Sequence, residues 1–122
     1  METIYLDHIA ATPLSPGARA AMLPFLTERF GNPQSRHQFG EIPRLTLTES
    51  REKVAALIGC DAREIFFTSS GSEANNLAIK GLLSAYPKKG RHIVTTAIEH
   101  YSVAHPIKYL EREGYSVTWL PV

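Results

Sequence analysis

The order of apolar segments between residues 65 and 120 constrains this chain more than any other feature. The run Ile65-Phe66-Phe67-Thr68 precedes a helical pattern from Ser72 to Ala85. A second extended run, His92-Ile93-Val94-Thr95-Thr96, precedes a second helical pattern from Ser102 to Glu113, and a third runs from Tyr115 to Leu120. This β-α-β-α-β alternation predicts an α/β fold in which helices cross over between strands of one sheet, right-handed where the strands are parallel neighbours. Ser102 is the expected N-cap of the second crossover helix, which puts Pro106 in the first turn, where N–H groups lack intrahelical partners. The sequence closes on Trp119-Leu120-Pro121-Val122 directly after a strand, so a truncated sheet with an uncovered edge is expected.

The segment before this alternation reads as helical. Thr3–Leu6 is extended, Ser15 is a suitable N-cap with Pro16 at the first helical position, and a helix should run to about Arg29, disturbed by Pro24. Phe30 to Gly40 is polar and turn-rich around Asn32-Pro33 and should be a surface loop. A longer helix follows to about Ile58, with Pro43 near its start and Gly59 placed for a left-handed cap. The expected organisation is an arm, short helix and Asn-Pro loop over residues 1–40, then the start of a larger domain over 41–122.

Charge and composition exclude several classes of function. The formal charge is +1 and acidic residues alternate with basic ones, as in Glu49-Ser50-Arg51-Glu52-Lys53, so no positive stripe for nucleic acid is present. No apolar run approaches the roughly 20 residues that cross a bilayer, and the first residues resemble no leader, so a cytoplasmic protein is expected. Cys60 is the single cysteine and cannot form an internal disulfide. The five histidines show no ligand spacing, and no metal site is expected.

Two places carry chemistry. Thr68-Ser69-Ser70-Gly71-Ser72-Glu73 lies between an expected strand and an expected helix, where unpaired N–H groups and the helix dipole favour a phosphate. Gly71 has no Cβ to block close approach, and the serine hydroxyls can donate. A Ser-rich turn of this kind also serves simply as a helix cap. The segment lacks the Gly-Lys-Ser/Thr ending of a P-loop and the Gly-x-Gly-x-x-Gly of a dinucleotide fold, which disfavours ATP and dinucleotides and keeps a phosphorylated cofactor open. His100 follows the next strand at its carboxyl end, where open α/β sheets bind ligands, and imidazole can exchange a proton near neutral pH. A surface or capping histidine is the alternative at that position.

Tyr5-Leu6-Asp7 with Ala10-Ala11-Thr12-Pro13, Phe30-Gly31-Asn32-Pro33 with Ser35 and Gly40, Thr68 to Glu73 with Asn76 to Gly81, and Glu99-His100 follow one another along the chain. In that order and spacing they resemble the amino-terminal portion of the cysteine desulfurases of the class V aminotransferase group. The resemblance implies a homodimeric fold type I enzyme that uses pyridoxal phosphate to take sulfur from L-cysteine. Alanine is left, and a persulfide on an enzyme cysteine passes to a sulfur-acceptor protein, as in iron–sulfur cluster assembly. It implies that Gly71 and Ser72 hold the cofactor phosphate, that His100 stacks on the pyridine ring and assists proton transfer, and that Asp7 and Asn32 lie near the active site.

Where many relatives have Tyr-Ser/Ala-Ala/Thr-Thr after the Leu-Asp pair, this chain has His8-Ile9-Ala10-Ala11, and Ser70-Gly71-Ser72-Glu73-Ala74 stands for Gly-Ala/Gly-Thr/Ser-Glu-Ser. Neither change removes the anion site. In the family the Schiff-base lysine, the aspartate at the pyridinium nitrogen and the persulfide-forming cysteine lie beyond the equivalent of Val122, so the isolated chain is expected to be inactive. Lys53, Lys80, Lys88, Lys89 and Lys108 fit solvated surface charges, and Cys60 has no adjacent His or Lys to activate it. A selenocysteine lyase or another enzyme of the group, and a non-catalytic binding or dimerisation module, stay open as alternatives.

Overall fold

The structure, a computed structural model, describes residues 3–122. They divide into two compact units after Ile65, so the boundary expected after residue 40 falls inside the first unit.

In the first unit, α1 (Pro16–Thr27) begins as its sequence dictates: the Ser15 hydroxyl accepts the Ala18 N–H at 3.2 Å and Pro16 occupies the first turn. The helix continues past Pro24 and stops at Thr27, where the Pro24 carbonyl accepts from both Glu28 and Arg29, at 2.9 and 2.7 Å. The second helix, α2 (Gln38–Ile58), starts inside the segment expected to be loop, without a side-chain cap from His37. Pro43 is therefore well inside the helix rather than near its start, and it deprives the Phe39 carbonyl of an N–H donor.

That carbonyl packs against Gly31, where any Cβ would collide with it, and the buried Gly40 sits so close to the Ser35 carbonyl that a Cβ would overlap it. The Asn32 carbonyl would lie 2.8 Å from the same added atom. Two glycines thus let the Asn32 loop close onto the first turn of α2. Gly40→Ala is expected to destabilise this unit by about 1–3 kcal/mol through overpacking, read as a lower denaturation midpoint with faster exchange of the Gln34 and Ser35 amides. At its other end α2 stops on Gly59, whose φ of 74° and ψ of 39° are the expected left-handed cap. A 3₁₀ turn (Ala62–Glu64) closed by an Asp61–Glu64 capping box follows, and Arg51 Nε donates to the Ile65 carbonyl at 3.2 Å.

The expected strand Ile65–Thr68 is not one. Ile65 has extended dihedrals, φ −92° and ψ 120°, but no ladder forms, and the sheet of the described residues has two strands. An extended segment becomes a strand only when a neighbour supplies hydrogen bonds, and Phe66 accordingly stays 73% exposed.

In the second unit, α3 (Gly71–Ala85), β1 (His92–Thr96), α4 (Tyr101–Arg112) and β2 (Ser116–Leu120) follow in order. The strands pair in parallel, with His92 opposite Ser116 and Thr96 opposite Leu120, as a helical crossover requires. Ile107 and Leu110 of α4 are 3% and 7% exposed and form the apolar core of this unit, with Pro106 buried beside them. Ile93, Thr95, Val117 and Trp119 share the more buried sheet face; on the other face Val94 is exposed.

The α4 cap differs from expectation. His100, not Ser102, is the N-cap, because its ring nitrogen accepts the Ser102 N–H. Pro106 then lies beyond the first turn and costs the Ser102 carbonyl its partner, a loss set against the burial of its ring.

Candidate functional site

The turn from Thr68 to Glu73 is ordered by its own polar groups. Ser70 is the N-cap of α3, its hydroxyl accepting the Glu73 N–H at 3.2 Å, and its carbonyl accepts the Ala74 N–H at 3.0 Å. The Glu73 carboxylate reaches back and accepts from the Ser69 hydroxyl at 2.6 Å and the Ser69 N–H at 2.7 Å. Thr68 Oγ1 donates to the Ser70 carbonyl at 3.0 Å. Of the serines read from sequence as anion donors, Ser69 spends its hydroxyl proton on Glu73, whereas the Ser70 hydroxyl acts here as an acceptor.

The cap satisfies the third and fourth N–H groups of the helix and leaves the first two, on Gly71 and Ser72, as the orphan donors of the first turn. Space in front of Gly71 is open: a Cβ built there meets no atom within 4 Å, and the residue needs no left-handed backbone. Neither packing nor conformation demands glycine, which fits a position kept clear for a ligand.

The Ser69 hydrogen bonds, the hydroxyl first and then the N–H, hold the Glu73 carboxyl below its ordinary pKa, against a smaller opposing effect of desolvation. Because the folded value is the lower one, the contribution to loop order is full above the unfolded carboxyl's pKa of about 4.3 and is lost as pH falls through the folded value. Acid titration followed at the Ser69 amide should show a step below the ordinary carboxylate range, and Glu73→Gln should abolish it.

Ser72 and His100 face one cleft of about 380 Å³. Ser72, Asn76 and Lys80 line it at four-residue intervals along α3, and His100, Ser102, His105 and Tyr109 line it from α4. Lys80 differs from the solvated charge expected of it, being only partly exposed with its ammonium 5.1 Å from the centre of the Tyr109 ring, a cation–π contact. The wall also holds a polar link invisible to a motif search: Asn75 Nδ2 donates to Ser102 Oγ at 2.8 Å, and Ser102 Oγ lies 2.8 Å from His100 Nδ1. Ser102 standing two residues after a helix-capping histidine is the one sequence signal for it.

Asp7 and Asn32 belong to the first unit. The Asp7 carbonyl organises a turn, accepting from the Tyr5 hydroxyl at 2.8 Å and from the Ala10 N–H at 3.2 Å. Asn32 Oδ1 accepts the Gln34 N–H at 2.9 Å, and its carbonyl accepts the Ser35 N–H at 2.9 Å. Among the described residues no cluster of His, Cys, Asp or Glu has metal-site geometry, and no helix is long and apolar enough to cross a membrane.

The open turn at the start of α3 and the histidine at the start of α4 thus lie along one α/β crossover. Residues 4–122 match the aminotransferase class-V family, and the chain belongs to it. Within that family it is 50% identical over 119 residues to the cysteine desulfurase IscS of Dictyoglomus turgidum, which covers 98% of this chain and 30% of that protein. The cysteine desulfurase IscS of Rickettsia akari is 50% identical over 120 residues, 98% of this chain and 29% of that one. Among solved structures, a NifS-like protein superposes with a TM-score of 0.91 at 38% identity over 98% of this chain and 33% of its own. SspA in complex with cysteine gives 0.89 at 37% identity, covering 97% and 34%. The chain thus spans about 30% of the length of the curated relatives it matches.

Proposed function

We propose that these residues are the amino-terminal segment of a pyridoxal-phosphate-dependent cysteine desulfurase, and that their task is to anchor the cofactor's phosphate and supply one side of its ring site. The observation that carries this reading is the pair of orphan N–H groups on Gly71 and Ser72, opening beside a cleft that His100 also lines. Gly71 and Ser72 would hold the phosphate through backbone N–H groups and the Ser72 hydroxyl, with the α3 dipole favouring the anion. His100 would lie against the cofactor ring and move a proton at the substrate. Bound there, pyridoxal phosphate supplies an electron sink for bond breaking at the amino acid's α-carbon. In this reading Asp7 and Asn32 belong to segments that lie near the active site of the complete enzyme, and residues 41–122 begin the cofactor-binding domain; L-cysteine is the substrate, and a homodimer and a sulfur-acceptor protein complete the system.

None of these residues forms a covalent bond to cofactor or sulfur in this reading. Lys80, the one lysine lining the cleft, is held over Tyr109, so the 122-residue chain alone is expected to release no alanine from L-cysteine. A chimera in which this chain replaces the matched segment of the Dictyoglomus turgidum relative tests the proposal. Alanine release that falls at least tenfold with His100→Ala is expected, about 1.4 kcal/mol of lost transition-state stabilisation. A folded chimera that binds pyridoxal phosphate yet yields no alanine would remove the desulfurase assignment.

A further inference from the structure

The polar link between α3 and α4 does more than join two helices. His100 Nδ1 receives the Ser102 backbone N–H at 3.1 Å, and a backbone donor cannot be reversed. Nδ1 must therefore offer its lone pair in the neutral ring, which leaves the ring proton on Nε2. Ser102 Oγ stands 2.8 Å from the same nitrogen, and Asn75 Nδ2 occupies that oxygen as a donor at 2.8 Å. Because Nδ1 carries no proton and Asn75 already donates to Oγ, the hydroxyl proton can point to His100, sharing the single Nδ1 lone pair with the backbone N–H. Every hydrogen bond then runs in one direction, Asn75 to Ser102 to His100.

We infer that Asn75 and Ser102 are positioning residues that fix His100 as its Nε2–H tautomer, turning Nδ1 back into the start of α4 and presenting a donor at Nε2. The inference rests on the cofactor reading only for its use: there, the neutral imidazole would offer a hydrogen bond from Nε2 to the group whose proton is transferred. Asn75 and Ser102 are partly buried, which shelters the bond between them, while His100 is exposed. The arrangement follows the general pattern in which the partner of one ring nitrogen dictates the state of the other.

The test uses the full 122-residue chain with ¹⁵N-labelled histidine, in long-range ¹H–¹⁵N spectra at about pH 8.5, where imidazoles are neutral. His100 is expected to show a pyridine-type Nδ1 and a pyrrole-type Nε2. Ser102→Ala keeps the backbone N–H at Nδ1 but removes the hydroxyl donor, so both signals should move part of the way towards the averaged values of free imidazole, and Ser102→Thr, which keeps the hydroxyl, should restore them. Asn75→Asp is nearly isosteric but accepts where Asn75 donates; it should draw the Ser102 proton away and raise the Nδ1–H population. A pyrrole-type or averaged Nδ1 in the wild-type chain overturns the inference, as do unshifted signals in both Ser102→Ala and Asn75→Asp. Pyridoxal phosphate is then added to uniformly ¹⁵N-labelled chain. Perturbation of the Gly71 and Ser72 amides reports on the cofactor reading, and it can fail while the tautomer result stands, or the reverse.

Discussion

Replacing Gly71 by proline should cut the affinity for pyridoxal phosphate about tenfold to a hundredfold while leaving α3 intact. The substitution deletes one of the two orphan N–H groups, and a hydrogen bond to a charged acceptor contributes about 1.5–3 kcal/mol. Structure survives because the position is the first residue of the helix, where proline is favoured and no intrahelical bond is lost. The preceding residue must be extended to tolerate it, and Ser70 already has φ −162° and ψ 162°. Gly71→Ala is the control. It keeps the N–H and adds only a Cβ in the space in front of the turn, so any loss it shows measures crowding, and the proline variant should bind more weakly still. Equal affinity of the proline variant and the wild type, with unchanged helicity, would show that the phosphate does not rest on this turn.

Leu110→Ala should cost the second unit about 2–5 kcal/mol, the usual price of emptying a buried leucine site. The unit runs from Phe66 to Val122, 57 residues, for which a total stability of only about 3–9 kcal/mol is typical. Its apolar core is slight, with Ile107 and Leu110 as the large side chains below one-tenth exposure. Loss of the Leu110 side chain is therefore expected to erase cooperative protection of the β1 and β2 amides in hydrogen exchange. Leu82→Ala on α3 is the comparison, since Leu82 is 61% exposed and surface changes usually stay within about 0.5 kcal/mol. Retained protection in Leu110→Ala would mean that the unit is held together elsewhere.

Local signals were legible where a residue acts on its own neighbours. Ser15, Pro16 and Gly59 cap helices as their chemistry dictates, and the parallel pairing of His92–Thr96 with Ser116–Leu120 follows from the intervening helix. What failed depends on groups distant in sequence or on competition between caps. Ile65–Thr68 has strand composition, yet a ladder needs a partner that composition cannot announce. Ser102 is the better capping residue by propensity, but His100 takes the role because Ser102 is drawn into the bond with Asn75, 27 positions away. Pro43 suggested a helix start, whereas glycines 31 and 40 allow the chain to begin the helix earlier and press the Asn32 loop against it. In the candidate site, Gly71, Ser72 and His100 could be singled out from the turn pattern and the strand ends. Lys80 and Tyr109 could not, because their pairing exists only once α3 and α4 lie side by side.

The claim that the start of α3 anchors a cofactor phosphate is tested most directly by titrating the ¹⁵N-labelled chain with pyridoxal phosphate and, separately, with pyridoxal. The account requires saturable shifts of the Gly71 and Ser72 amides with pyridoxal phosphate, and none of comparable size with pyridoxal at the same concentrations. Amide shifts that are equal for the two compounds, or that fall elsewhere in the chain, would contradict it.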